Sequence, residues 1–244
     1  MPPRPYHHGD LENALIQAGV AILSREGMGA LSLRRVARRV GVSHAAPYAH
    51  FADKQALLAA IATEGYRMLH DRIRAAVERC GAEPLRQLFE ASWAYVEFAL
   101  EEPEHFRITL SGVVEKQKDH PAYVEVSRRS FDLVLGIVRG CQAEGVLSPG
   151  PPEVAAVGVW SLVHGLVSLL LEGQISHAIL DRFGPPALLA SCLERIVRVP
   201  VAAGLLEARG ARRATRRPRS RGGGPTRTSA SREGRRGGTY SCPS

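Results

Sequence analysis

The sequence predicts an all-α protein with a three-helix head containing a helix-turn-helix, a larger helical body and a disordered basic tail. Three observations carry this. Apolar residues recur at helical spacing through most of the first 200 positions. The breaks between these runs are short and rich in Gly and Pro, as in Glu26-Gly27-Met28-Gly29 and Cys80-Gly81-Ala82-Glu83-Pro84. Beyond Arg209 large apolar side chains almost vanish and arginine replaces them.

The first helix runs from Asp10 to Glu26, with Leu11, Leu15, Ala18, Ile22 and Leu23 on one face. Ser32 opens the second as an N-cap, because its hydroxyl can accept from a free N–H of the first turn. Leu33, Val36, Ala37 and Val40 then share one face, and Arg34, Arg35, Arg38 and Arg39 take the other. Gly41 stops this helix where a positive φ is wanted, and Ser43 is expected to cap a short helix from His44 to Phe51. Two short helices around a glycine turn make a helix-turn-helix at 32–51.

That last helix divides its labour. Val42 and Phe51 are expected inside, and His44, Ala45, Ala46, Tyr48 and His50 outside, with Pro47 tightening the first turn. An imidazole can donate to or accept from base edges, and a small apolar side chain can meet a thymine methyl, so His44, Ala45 and Ala46 read as base-facing. Arg34, Arg35, Tyr48, His50 and Lys54 suit phosphates, which position a protein without reporting sequence. An ordinary helical hairpin with a solvated basic face would also show the arginines. It would not be expected to bring the turn, both caps and the exposed Tyr and His together.

From Gly9 to Leu69 the sequence resembles the N-terminal domain of the TetR family of transcriptional regulators. The resemblance is most specific at Tyr48-Ala49-His50-Phe51 followed by Lys54 and Leu57-Leu58. Tyr6-His7-His8-Gly9-Asp10-Leu11 and Trp160…His164-Gly165 resemble one subgroup of that family, whereas Ala45-Ala46-Pro47 departs from its commoner pattern. The resemblance implies double-stranded DNA as partner, with Ser32, Arg34, Arg35, Ser43, His44, Ala45, Ala46, Tyr48, His50 and Lys54 at the DNA face. It also implies a ligand-responsive repressor that acts as a homodimer on a palindromic operator.

A long helix from about Lys54 to Arg79, carrying Leu57, Leu58, Ile61, Met68, Leu69, Ile73 and Val77, would join head to body. The expected division is a DNA-binding domain at 9–69, a ligand-binding and dimerisation domain at 84–200, and the tail at 209–244. In the body, helices are expected from Pro84 to Glu101, from Pro103, from about His120 to Glu144, over the apolar run Glu153 to Glu172, and from Pro186 to Val199. Trp93, Tyr95, Phe98 and Phe106 crowd two neighbouring helices, and Trp160 and His164 share a face four residues apart. Trp93, Phe98, Phe106, Trp160 and His164 are the candidate contacts for a small-molecule inducer, the implied pocket lying between such helices. Filling the core is the plainer role for each aromatic taken singly. The two late apolar helices are the candidate dimer surface, packing as a four-helix bundle in the family.

Charge is unevenly spread. The 36 residues from Arg209 hold eleven arginines and one acid, residues 1–54 sum to +3, and residues 55–208 sum to −5. A basic head on an acidic body is the asymmetry expected when one end approaches DNA. The tail could add salt-sensitive attraction to phosphates, contact another partner, or have no selected role. Cys80, Cys141, Cys192 and Cys242 are far apart and read as reduced thiols. His7, His8 and Asp10 lack a distant ligand set, so neither metal nor cofactor is expected. No nucleophile elbow, phosphate loop or zinc-protease signature occurs, and the chain is not expected to be an enzyme. No apolar run is expected to reach the length of a membrane span, and the start lacks a signal-peptide core, so a cytoplasmic protein without a membrane partner is expected. The competing reading is an architectural protein that coats DNA without a ligand switch; a body of about 150 residues favours the switch.

Overall fold

A computed structural model of the chain describes residues 8–110, 112, 114 and 120–198. The arginine-rich tail of the sequence lies outside the described residues. Among the described residues eight α-helices follow one another: α1 His8–Glu26, α2 Leu33–Val40, α3 Lys54–Glu78, α4 Pro84–Glu101, α5 Pro103–Leu110, α6 Pro121–Ala143, α7 Pro152–Leu171 and α8 His177–Leu193. Two short 3-10 turns, Met28–Ala30 and Ala46–Ala49, flank α2. No strand occurs among the described residues.

Local chemistry sets the ends. The Ser32 hydroxyl accepts from the Arg35 N–H at 3.2 Å, and the Asp53 carboxylate accepts from the Ala56 N–H at 2.8 Å. Each satisfies one donor of a helix's first turn. Gly41 ends α2 at φ 82°, a left-handed position where a Cβ would be strained, and its N–H reaches the Ala37 carbonyl at 2.9 Å. Four helices in succession, α4 to α7, begin with a proline, whose missing N–H is one the first turn could not use.

Two expectations are corrected. The second helix of the helix-turn-helix is not α-helical: His44 and Ala45 lie in a turn, and Ala46–Ala49 is 3-10. Pro47 has no N–H to give the Ser43 carbonyl, and its ring obstructs the α-helical approach of that carbonyl. The segment closes through i→i−3 bonds instead, Ala46 to Ser43 and Tyr48 to Ala45, both at 3.1 Å. Ala45 rather than Ser43 stands at its N-cap, and no side chain caps it. The last helix begins at His177, well before Pro186, and ends at Leu193 rather than Val199. Gly184, at φ 70° and ψ 161°, breaks it before Pro185 and Pro186, which cannot continue the hydrogen-bond ladder.

Two apolar cores form along α3. Leu15, Ile22, Leu31, Val36 and Phe51 gather around Leu57, Leu58 and Ile61 in the head. Phe89, Val96, Phe98, Val138, Val167 and Leu189 pack with Leu69, Ile73 and Ala76 in the body. The body also enters the head, because Ile108 of α5 and Tyr123 of α6 belong to the head cluster. The axis of this junction is the contact of α3 with α5 at Gly65, where a Cβ would overlap the Thr109 hydroxyl.

The described α7 also corrects the expectation about apolar length. Its 20 residues reach a mean hydropathy of 2.1 over 18 positions, enough by length and composition to cross a membrane. Ala156, Val159, Val163, Leu166 and Val167 are buried in the body, while Val154, Val157 and Leu169 are exposed. The helix therefore packs by one side only, and its other apolar side is open.

Candidate DNA interface and ligand cavity

The head collects part of the expected DNA face into one place. Ser32, Arg34, Tyr48, Asp53 and Lys54 line an open groove. Ser32 caps α2 and Asp53 caps α3, so two helix N-termini meet there. Their partial positive charge and free N–H groups favour an anion such as a phosphate. Tyr48 stands at the groove with 53% of its surface exposed. Ser43, His44 and Ala45 are exposed beside it, and Ala46 is half-buried.

Other expected residues are otherwise engaged. Arg35 is paired with Glu26 of α1. Lys54 donates to the Met28 carbonyl at 2.8 Å, tying α3 to the first 3-10 turn. His50 was expected to face outward but is turned inward: its side chain is 11% exposed and lies 3.7 Å from the Glu12 carboxylate. Closing the 3-10 turn at His50 directs this side chain against α1. Pro47, expected to tighten the turn, is itself buried.

In the body, α3, α4, α5, α6 and α7 line a partly open cavity of about 130 Å³. Tyr66 and Leu69 come from α3, Ala91 and Tyr95 from α4, Ser130 and Phe131 from α6, and Ala156 and Trp160 from α7. Trp160 stands at its edge, 44% exposed, and its indole N–H donates to the Tyr95 hydroxyl at 3.1 Å. The same hydroxyl is 2.8 Å from Nδ1 of His164, one turn further along α7. Burial lowers the pKa of His164 and raises that of Tyr95, so both are neutral near pH 7. Tyr66 is raised in the same way, first by burial and then by Tyr123, whose ring it meets edge-on.

Trp160 is the one expected ligand residue in the cavity wall itself. His164 stands behind it, reaching the wall through Tyr95. Phe106 lies further back, stacked on His164 with centroids 5.6 Å apart and edge-on to Tyr95. Phe98 packs against Phe106 in the core, and Trp93 is buried on α4 outside the cavity wall. The sequence reading left Tyr66, Ser127, Ser130 and Phe131 out of the set. The signal was present in α6, where Ser127, Ser130, Phe131 and Val134 follow the i, i+3, i+4, i+7 spacing of one helix face.

Known proteins resemble both halves. Residues 15–61 match the family described as bacterial regulatory proteins, tetR family, and residues 88–183 match the tetracyclin repressor-like C-terminal domain. A Bacillus subtilis (strain 168) protein described as an uncharacterized HTH-type transcriptional regulator, YobS, is 26% identical over 165 residues, covering 67% of this chain and 81% of its own. A solved protein of unknown function from Rhodococcus sp. RHA1 is 33% identical, with a TM-score of 0.68 over 80% of this chain and all of that one. A regulatory protein in the tetR family from Rhodococcus RHA1 shares the fold at a TM-score of 0.60 and 23% identity, over 75% of this chain and 93% of its own.

Proposed function

The chain belongs to the tetR family of bacterial regulatory proteins, and on that premise we propose that it is a ligand-responsive repressor binding a palindromic operator as a homodimer. The observation that carries this is the pairing, along α3, of an anion-directed groove at one end with an apolar cavity at the other. Phosphates would meet the groove at Ser32, Arg34, Tyr48 and Lys54. His44, Ala45 and Ala46, on the turn before the short 3-10 helix, would meet base edges, with Ser43 beside them. Arg35 and His50 would act less directly, by fixing α2 and the 3-10 turn against α1.

Two copies are needed because one short turn reads few bases. A two-fold dimer places two such turns on half-sites about 34–36 Å apart. The open apolar side of α7, continued by Ile179 and Phe183 of α8, is the surface for that pairing. Ligand in the cavity would shift α3 and α5, and with them the spacing of the two heads. A coupling of about 1–3 kcal/mol would change operator affinity by roughly 5- to 150-fold. We place the chain with the family members that carry a Trp…His-Gly sequence, on the ground that Trp160 and His164 meet the same tyrosine.

The test is binding to the DNA upstream of its own gene and to a shuffled duplex across a salt series. It uses the full chain and a chain ending at Ala208, which lacks the arginine-rich tail. Selective binding by both chains is the expected result. Equal, salt-fragile binding to both duplexes, repeated with DNA selected from random sequence, would instead mean an architectural protein that coats DNA.

A further inference from the structure

Among the described residues, the cavity wall contains no Asp, Glu, Lys, Arg or His. A charged group placed there would lose its hydration and meet no opposite charge, a cost that no apolar contact offsets. Two of the wall's serines are already committed. Ser127 donates to the Val124 carbonyl at 2.9 Å and Ser130 to the Val126 carbonyl at 2.8 Å, both on their own helix. Their hydroxyl hydrogens are spent, and only acceptor lone pairs remain for a ligand. Tyr95 already holds Trp160 and His164. The volume, about 130 Å³, is close to that of an engineered cavity of about 150 Å³ that takes up benzene.

From this composition we propose that the cavity binds an uncharged, ring-sized apolar molecule bearing at most a hydroxyl-type donor, and discriminates against carboxylates and amines of the same shape. The donor would be received by Ser127 or Ser130, and the ring would lie between Ala91, Ala156 and the indole of Trp160. The inference rests on the reading of this cavity as the effector site, and it names the chemistry of the effector.

Three molecules with one ring test it: benzyl alcohol, benzoate and benzylammonium, with toluene as the purely apolar reference. Each is titrated into the full chain at pH 7.5, with thermal midpoint and tryptophan emission as readouts. Benzyl alcohol and toluene are expected to raise the midpoint and change the emission, and to bind at least about tenfold more tightly than either ion. Ala91→Leu, which fills part of the cavity, is expected to weaken both neutral molecules. Ser127→Ala combined with Ser130→Ala, which nearly keeps the volume, is expected to weaken benzyl alcohol while sparing toluene. Benzoate or benzylammonium binding as well as the alcohol would overturn the proposal, as would absence of neutral binding or indifference to Ala91→Leu. Selective DNA binding measured in parallel separates the two readings. If DNA is bound selectively and no neutral ring binds, only this inference falls. If neutral rings bind in the cavity and DNA is not read selectively, the repressor reading falls instead.

Discussion

Tyr48 and His44 stand four residues apart on one exposed turn, and their chemistry suits different roles. A phenol hydroxyl at the mouth of a groove formed by two helix N-termini suits a phosphate, whose position is the same in every sequence. Tyr48→Phe is therefore expected to weaken binding to operator and shuffled DNA alike, by about 1 kcal/mol for a lost hydrogen bond. His44→Ala should instead reduce discrimination among operator variants, by about 1–3 kcal/mol at the affected base pair. Competition binding with both duplexes checks the pair; equal losses on both DNAs for both variants would remove the division of roles. His164 supplies a pH-dependent term. Burial holds it below its ordinary value of 6.5, and burial with nearby Arg129 does the same to His70. The unfolded chain takes up these protons first, so their contribution to stability is complete above about pH 6.5 and declines as pH falls below it. Urea midpoints at pH 7.5 and 5.5 should show that decline, and His164→Asn should make it shallower.

At the scale of elements, the fold depends on how closely α5 approaches α3. Gly65 lets Thr109 into the surface of α3, and Ile108, beside Thr109, is buried in the head core. Phe106, two residues earlier, is stacked on His164 of α7. One short helix thus touches the cavity's back wall with one side and the head with another. Gly65→Ala is expected to force α5 away, at a cost of about 1–3 kcal/mol for overpacking. Thr109→Ala in the same chain should recover part of that loss, because it removes the nearest atom. A double-mutant cycle by urea denaturation measures the coupling, which should be well above the few tenths of a kcal/mol seen for separated sites.

At the scale of the whole molecule, the open side of α7 and α8 is the surface on which the proposed dimer would form. Val157 and Leu169 are about half exposed, as is Phe183. An exposed apolar face that large asks for cover. Val157→Lys with Leu169→Glu is expected to shift the chain to monomer by sedimentation, with helical circular dichroism retained. Operator binding should fall with it, since each half-site alone holds only one reading turn. Dimer persisting in that variant would place the contact elsewhere.

Apolar periodicity predicted the all-helical class and the long α3, and the residue types at Ser32 and Gly41 predicted the caps of α2, because these depend on residues within one or two turns. Within 32–51, α2, the turn at Gly41 and the exposure of Tyr48 and His44 were legible for the same reason. The sequence also held the cause of the 3-10 turn, Pro47, although its effect on the hydrogen-bond ladder was underestimated there. Only the tertiary structure decided that His50 turns inward, that Lys54 is tied to Met28, and that Trp160, Tyr95 and His164 share hydrogen bonds across two helices. It alone separated a cavity wall from a core among the body's aromatics. These are matters of which helix faces meet at what distance, and a repeat of 3.6 residues specifies a face without naming the neighbour it will meet.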